Sequence, residues 1–393
     1  MLKVGIVGGQ LQGMEAVYLS KLAGYEVTLI DKDPLVPARQ FVDDFYNIDL
    51  LADGQSNRDL LSGFDLIIPA TENYATLIWL NEAAHRCDVP LALDMSAYEI
   101  SSSKIRSNKL FSRVGISMPE VWPECGFPVI VKPSGLSGSA GVIKVVDQAH
   151  LAGALNNVGN DVVIQKYLDG PSYSLEVLAH QGKSVTLQIT QLEFDSSYDC
   201  KRVLAGPNIG DDVANLFYRL SEHIAAEIEL SGIMDIEVIY NNNELKVLEI
   251  DARIPSQTPS AVYHSTGVNM VKLIAQYWIE GKLPVDRQFS GPKRSVIYEH
   301  LIFKEGKLSV SGEHILVGAQ NLKVYHDKFS TNVLIANFEE SPEEWVATAI
   351  FVEDTGAQVW QTRNRAIKII QQAFKAKSYF DPSPFVKGGG EID

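Results

Sequence analysis

Between Gly232 and Pro259 the chain reads GIMDIEVIYNNNELKVLEIDARIPSQTP, two apolar runs of strand character around an Asn-rich turn. Side chains alternate along a strand, so Asp235 and Glu237 share one face of the first run. Glu249, Asp251 and Arg253 share one face of the second. A three-residue loop at Asn242–Glu244 sets Glu237 opposite Glu249 and Asp235 opposite Asp251. A two-residue loop throws them onto opposite faces, because a slip of one residue inverts every side chain. In the first register up to four carboxylates crowd one patch. Each like-charged pair at about 5 Å then costs roughly 3 kcal/mol at an effective dielectric near 20. Arg253 alone does not offset that. One or two Mg²⁺ ions do, since hard cations take carboxylate oxygens and leave positions for phosphates. A solvated hairpin whose acids never meet is the competing reading, and the rest of the chain has to decide.

With 393 residues, 46% of them hydrophobic, the chain is long enough for two or three domains with sizeable cores. A net charge of −15 argues against a general nucleic-acid or anionic-membrane surface, so neither is expected as a partner. An anionic cofactor is still compatible, because a few lysines and backbone N–H groups suffice for phosphates. Cys87, Cys125 and Cys200 are far apart and form neither a disulfide framework nor a CxxC metal site, which fits a reducing compartment. The start, MLKVGIVGGQ, enters a strand directly, so no signal peptide is expected, and no apolar run reaches membrane-spanning length. The expected location is the cytoplasm.

Strands at 2–7, 26–30, 64–69 and 89–93 alternate with helices, which predicts a parallel, Rossmann-like α/β domain over residues 1–95. From 96 to 289 the pattern is α+β. It contains a helix from Lys104 to Arg113, strands PVIVKP, GVIKVV, DVVIQKYL, 173–179 and 185–191, and helices at 213–229 and 268–280. A flap subdomain is expected at about 112–170. Residues 290–393 form a C-terminal region expected only to pack on this core, with a helix over 363–377 and a disordered Pro/Gly-rich tail from about 379.

GIVGGQLQGMEA with Asp31 suggests a dinucleotide fingerprint, but its glycines give GGxxxG rather than GxGxxG. An NAD-dependent dehydrogenase therefore stays open as an alternative. In PVIVKPSGLSGSAGVIKVV, Lys132 ends an apolar strand and a loop without bulky side chains follows, able to aim successive N–H groups at a phosphate chain. It is not a Walker A loop, since GK[ST] is missing and a strand follows. A flexible surface hairpin is the plain alternative. VVIQKYLDGPSYSLEV puts Gln165, Lys166, Tyr167 and Leu168 on the rim of the same cleft.

Lys104, Lys132, the glycine loop, the 165–168 segment and the acidic hairpin occur in the order seen in the ATP-grasp superfamily of carboxylate–amine ligases, which this chain resembles. The resemblance implies an ATP-grasp fold clamping ATP. Lys104 and Lys132 would be phosphate ligands, and Ser134, Gly135, Ser137, Gly138, Ser139 and Gly141 would belong to the flap. Gln165, Lys166, Tyr167 and Leu168 would hold adenine, Glu237, Glu249 and Asp251 would hold Mg²⁺, and Arg253 would steady the transferred phosphoryl group. Gln165 stands where a Glu is frequent, Ser172 where a ribose-binding Glu is usual, and Asp251 replaces an Asn, which puts the nucleotide contacts and the metal charge in question.

Up to about residue 375 the chain is also similar to a narrower family, the pyrrolysine-biosynthesis ligases that join 3-methylornithine to lysine. VGGQLQGMEAVYLSKLAG, PATEN, GPSYSLEV, YDCKRV and LEIDARIPSQTP carry that similarity, and IPSQTP departs from most ATP-grasp ligases. It implies that ATP activates (3R)-3-methyl-D-ornithine as an acyl phosphate, which the ε-amine of lysine attacks. Two diamino substrates need acidic partners, for which Glu72, Glu176, Asp199 and Asp235 are candidates. Gln10, Leu11, Asn73 and Ser256 are further substrate-side candidates. Lys201 or Arg202, on a mobile loop, would meet a carboxylate or the γ-phosphate as catalytic cations beside Arg253. For each of these the structural reading stands beside the functional one. Another ATP-grasp amino-acid or purine-pathway ligase and a non-catalytic binding protein also remain as alternatives. The expected partners are small amino acids, with a homodimer as the candidate assembly.

Overall fold

The computed structural model of the chain describes residues 1–52, 56–159, 161–283 and 293–382. The apolar runs Lys3–Val7 (β1), Glu26–Asp31 (β2) and Leu66–Pro69 (β4), with the polar edge segment Asp44–Asn47 (β3), form a parallel sheet in the order β3-β2-β1-β4. Helices Leu11–Leu22 (α1), Ser56–Leu61 (α2) and Tyr74–Cys87 (α3) connect them. Gly8, at φ +101, makes the turn after β1 possible. A Cβ there would lie 2.3 Å from the Ala70 carbonyl oxygen, so only glycine lets the two βα loops touch. Residues 89–93, expected as a strand, contribute only an isolated bridge from Leu91 to Ile67. The exposed edge strand β3 was not foreseen, because DFYN has no alternating apolar face.

Helices Met95–Ser101 (α4) and Lys104–Val114 (α5) lead to a three-stranded flap of Val129–Pro133 (β5), Ile143–Val145 (β6) and Val162–Lys166 (β7), backed by helix Gln148–Val158 (α6). Ser172–His180 (β8), Lys183–Thr186 (β9), Thr190–Phe194 (β10) and Cys200–Ala205 (β11) then begin the main sheet. The single strand expected at 185–191 is split in two. Its register against β8 slips by one residue between the pairs Val177–Thr186 and Ser174–Thr190.

Helix Asp211–Glu227 (α7) leads into the hairpin of Gly232–Asn241 (β12) and Glu244–Asp251 (β13), followed by Thr258–Thr266 (α8) and Met270–Glu280 (α9). The C-terminal region supplies Ser295–Lys304 (β14), Lys307–Ser311 (β15), Lys323–His326 (β16), Val333–Ala336 (β17), Glu344–Glu353 (β18), Gly356–Ala373 (α10) and Ser378–Phe380 (β19). Strand β14 pairs with β11, so this region continues one twelve-stranded sheet instead of packing on it as a separate layer. The boundary expected at 289–290 lies outside the described residues. The tail is ordered further than expected: Tyr379 and Phe380 pair with β15, while residues from 383 onward are outside the described set.

One hydrophobic core runs from the N-terminal sheet and α1 through α8 and α9 to the main sheet. Three hydrogen bonds key the same units together. Gln12 donates to the Ile254 carbonyl at 2.7 Å, the Ser260 N–H donates to Glu15 at 2.5 Å, and Asn269 donates to the Leu19 carbonyl at 2.8 Å. The N-terminal domain is thus fixed over the carboxyl end of the acidic hairpin. No described helix is long and apolar enough to cross a membrane.

Candidate active site

The hairpin reaches the expected register by an unexpected route. Its loop has two residues, Asn242 and Asn243, both at positive φ, as a tight hairpin turn requires. Asn241 therefore pairs with Glu244, a register that taken alone would split the acids between faces. An irregularity beyond Val238–Val247 inserts Leu248 as an extra residue. Glu237 then pairs with Glu249 and Asp235 with Asp251. Strand β8 adds Glu176 opposite Asp235 and Ser174 opposite Glu237.

Two adjoining cavities use this surface. One, of about 220 Å³, is lined by Lys104, Lys132, Gln165, Lys166, Tyr167 and Leu168 with the apolar Ile130, Ile239 and Leu248. The other, of about 450 Å³, lies under the N-terminal domain and includes Gln10, Leu11, Glu72, Asp235, Asp251, Arg253 and Ser256. Ser139, Leu192, Phe194, Glu237 and Glu249 belong to both walls and mark the junction. Eight carboxylates but only one guanidinium and one imidazole line the larger cavity, which makes it a place for cationic ligands.

Flap and floor already touch. The Lys104 ammonium donates to the Leu136 carbonyl at 2.6 Å and to Glu249 at 3.0 Å. The flap hydroxyl of Ser137 donates to Glu72, which also accepts from Arg253. Arg253 holds Asp251 as well, at 2.7 Å. Lys144 in β6 sits over the Tyr167 ring at 3.4 Å from its centroid, tying the flap to the 165–168 segment. Gln165 is buried with its side-chain N–H₂ unpartnered, a donor aimed at the smaller cavity. Burial lowers the Lys132 pKa while Glu249 opposes that shift.

Several expected residues do other work. Lys201 and Arg202 are not on a mobile loop; they sit buried in β11. Lys201 donates to Asp381 at 2.8 Å, and Arg202 pairs with Glu193, with Glu299 at 2.7 Å and with Asp381 at 2.7 Å. Their charges are taken by Glu193 in β10 and by Glu299 and Asp381 of the C-terminal region, which leaves them structural cations and not the catalytic ones expected. Asn73 caps α3 by accepting from the Thr76 N–H at 3.0 Å. Ser134 is buried against Ser103 at 3.0 Å and, with Gly135 and Gly141, lies outside both cavity walls. Asp31 accepts from the Gly9 N–H at 2.8 Å, so it braces the glycine turn and is not a free ribose acceptor. Among the described residues no three His, Cys, Asp or Glu side chains converge as a metal cage. The expected trio is divided, because Asp251 turns to Arg253 and Glu249 to Lys104.

Other wall residues were not foreseen. Glu313 and His314 come from a short turn of the C-terminal region, to which packing alone had been assigned. Ser256 donates to Glu313 at 3.1 Å, and His314 meets Asp199 at 2.9 Å. No local signal announces them. Gln257 and Thr258, by contrast, lie within IPSQTP, a motif conspicuous in the sequence.

Burial pushes the carboxyls of Glu15 and Glu176 up to about 7, and that of Asp251 to about 7 against the pull of Arg253. Burial and the neighbouring acids raise Asp235 and Glu237 well above their ordinary values. The folded chain thus holds protons that the unfolded chain releases near pH 4, and stability contributed below that point is lost as pH rises through about 7. His264 and His300, pushed down to about 4 by burial, act in the opposite sense, but only below the free imidazole value. The melting temperature of the ligand-free protein is therefore expected to fall between about pH 6.5 and 7.5. Thermal melts at constant ionic strength check this, and a rise over that window contradicts it.

Comparison with known proteins agrees with this geometry. Residues 101–257 match the model of the ATP-grasp domain family. The 3-methyl-D-ornithine–L-lysine ligase of Methanosarcina barkeri is 33% identical over 96% of this chain and 99% of its own length. That of Methanosarcina acetivorans is 31% identical over 96% and 99%. Among solved structures, N5-carboxyaminoimidazole ribonucleotide synthetase from Thermotoga maritima superposes with a TM-score of 0.67 at 18% identity, over 94% of this chain and 98% of its own. The L-amino acid ligase from Bacillus licheniformis gives 0.68 at 15%, over 94% and 97%. These two likenesses show the fold, and the first two, running nearly end to end, show the family. An ATP-grasp clamp closed over a doubly paired acidic hairpin, with a third of its residues shared along the full length of such an enzyme, places this chain in the 3-methyl-D-ornithine–L-lysine ligase family.

Proposed function

We propose that the chain uses ATP to phosphorylate the α-carboxylate of (3R)-3-methyl-D-ornithine and joins the acyl group to the ε-amine of L-lysine, a step of pyrrolysine biosynthesis. The observation that carries this reading is the pairing of Glu237 with Glu249 at the junction of the two cavities. A carboxylate oxygen attacks the γ-phosphorus and ADP leaves. The lysine nitrogen then attacks the acyl carbon, phosphate leaves, and the nitrogen gives up a proton. Little covalent help is needed from the protein; the requirements are alignment and charge.

Lys104 and Lys132 line the smaller cavity, which has an apolar floor for a purine and the 165–168 segment at its rim. Gln165 and the backbone of Tyr167 and Leu168 hold the base in this reading, and the flap around Ser137–Ser139 covers the phosphates. Glu237 and Glu249 suit Mg²⁺, because hard carboxylate oxygens of a partly buried pair, with each other's charge raising the Glu237 pKa, gain from a divalent cation. When bound, that ion neutralises phosphate charge. Arg253, held between Glu72 and Asp251, is the protein's own cation on the substrate side and orients the reacting carboxylate.

The test is a full-chain assay for ADP with Mg²⁺ and ATP. Release is expected to rise at least ~10-fold only when both a D-ornithine-type acid and L-lysine are present, since both are needed for turnover. The product mass should equal the sum of the two amino acids less water. ADP release indifferent to the amino acids overturns the reading.

A further inference from the structure

The tip of the flap is a turn held from outside the flap. The Ala140 N–H donates to the Ser137 carbonyl at 3.1 Å, and the two residues between, Gly138 and Ser139, have φ of +56° and +58°. Positive φ at both central residues makes a tight turn of fixed shape. Three parts of the chain reach it. Lys104 at the start of α5 donates to the Leu136 carbonyl, Glu72 of the N-terminal domain accepts from the Ser137 hydroxyl, and His314 of the C-terminal region lies against Gly138. A Cβ at Gly138 would fall 2.9 Å from His314 Cε1 and 3.1 Å from Nε2, the first closer than side-chain carbons approach one another. The imidazole is not free to swing away, because Asp199 holds it twice. Nδ1 lies 2.9 Å from one carboxylate oxygen, and the His314 backbone N–H donates to the other at 3.0 Å. Asp199 is fixed in turn: its carboxyl carbon rests on Gly312, where a Cβ would fall 2.0 Å away, and Asp195 accepts from the N–H groups of Gly312 at 3.1 Å and of Asp199 at 3.2 Å.

We infer that His314, braced by Asp199, is the seat on which the flap tip closes, a positioning residue that keeps water out of the junction where the phosphoryl group is transferred. This rests on the ATP-dependent reaction proposed above. Asp199, His314 and Gly138 all line the larger cavity together with Ser139, which also faces the smaller cavity beside Glu237 and Glu249. A seat in that place shields the acyl phosphate. When the tip lifts, water takes the place of the lysine nitrogen and attacks the acyl carbon. Phosphate leaves, the acid is regenerated, and ADP has been formed without ligation. Plain packing does not account for the contact. The His314 side chain is 47% exposed and meets a residue with no side chain, so little apolar surface is buried. What the contact supplies is position, a ring face at a fixed height that only a glycine approaches so closely. The seat also belongs to the turn whose Glu313 accepts from Ser256 in IPSQTP, so closure of the flap and order in the wall of the larger cavity go together.

Two measurements on the full chain test the seat. In hydrogen–deuterium exchange of the ligand-free protein, His314→Ala should speed exchange of the Ala140 and Val142 amides about tenfold and leave β12 and β14 unchanged, because the tip is released without loosening the sheet. In turnover with Mg²⁺, ATP, D-ornithine and L-lysine, the wild-type chain should form about one ADP per ligated product and His314→Ala about three or more, since a lid that no longer excludes water lets the intermediate hydrolyse. His314→Asn keeps a donor for Asp199 and removes the outer half of the ring. It should behave as His314→Ala does, and it carries the test should that variant not fold. Gly138→Ala should lower kcat/KM for ATP about tenfold in the wild-type chain but only about threefold once His314→Ala has removed the ring, the remainder reflecting the positive φ, and such non-additivity marks residues in contact. Unchanged tip exchange in both His314 variants, an ADP-to-product ratio that stays at the wild-type value, or strictly additive losses each overturn the inference. Faster exchange throughout the sheet does so too, since it marks a merely structural residue. A wild-type chain that makes no product from any amino-acid pair sinks the proposed reaction instead, and the exchange experiment still decides whether His314 holds the tip.

Discussion

Glu237→Gln is expected to lower kcat by about 10²–10³-fold while leaving the protein folded and, in the absence of Mg²⁺ and nucleotide, somewhat more stable. The two effects have one cause. Glu237 faces Glu249 across the hairpin and stands two residues from Asp235, and burial together with these neighbours raises its pKa well above the usual carboxylate range. Removing the charge relieves the crowding, and a gain of about 1 kcal/mol would raise the melting temperature by roughly 2 °C in a chain of this size. The same charge is what a divalent cation at the cavity junction requires. Steady-state kinetics across a Mg²⁺ titration and a thermal melt of the same preparation check both halves. A variant with wild-type turnover, or one whose Mg²⁺ requirement is unchanged, removes Glu237 from the proposed metal site.

Arg202→Ala should produce the largest loss of stability, about 3–5 kcal/mol, because it leaves buried carboxylates without their cation. Arg202 bridges Glu193 in β10, Glu299 in β14 and Asp381 beyond β19, and Glu299 is shared with Arg363 at 2.8 Å. The guanidinium of Arg202 and that of Arg363 hold the Glu299 carboxyl below its ordinary value although burial alone would raise it. Denaturant melts should show the loss directly. Asp381→Asn, removing a partner that is only partly buried, should cost less and leave KM for ATP unchanged. A folded Arg202→Ala protein of wild-type stability with lost turnover would restore the catalytic role that the YDCKRV segment first suggested.

That segment shows where reading along the chain fails. Lys201 and Arg202 carry the right chemistry for phosphate, and nothing local says that a carboxylate some 180 residues later will take both. The hairpin is the opposite case, since the facing of Glu237 and Glu249 follows from strand alternation plus register. Even there the loop has two residues and the match is restored by Leu248, an irregularity that no propensity marks. Lys104, Lys132 and the 165–168 segment were legible because strand ends, glycines and their order along the chain are local quantities, and they line the smaller cavity as expected.

By itself the sequence determined the alternation of strands and helices, the apolar strand ending in Lys132, the glycine flap and the acidic character of the hairpin, all properties of neighbouring residues. Only the tertiary structure decided which charges are spent on the fold and which face the cleft. It joined the C-terminal region to the main sheet, gave Lys201 and Arg202 to Asp381, and set Glu313 and His314 in the cavity wall. The reason is physical: the energy of a charge is set by burial and by what lies within a few ångströms, and both are properties of the packed chain.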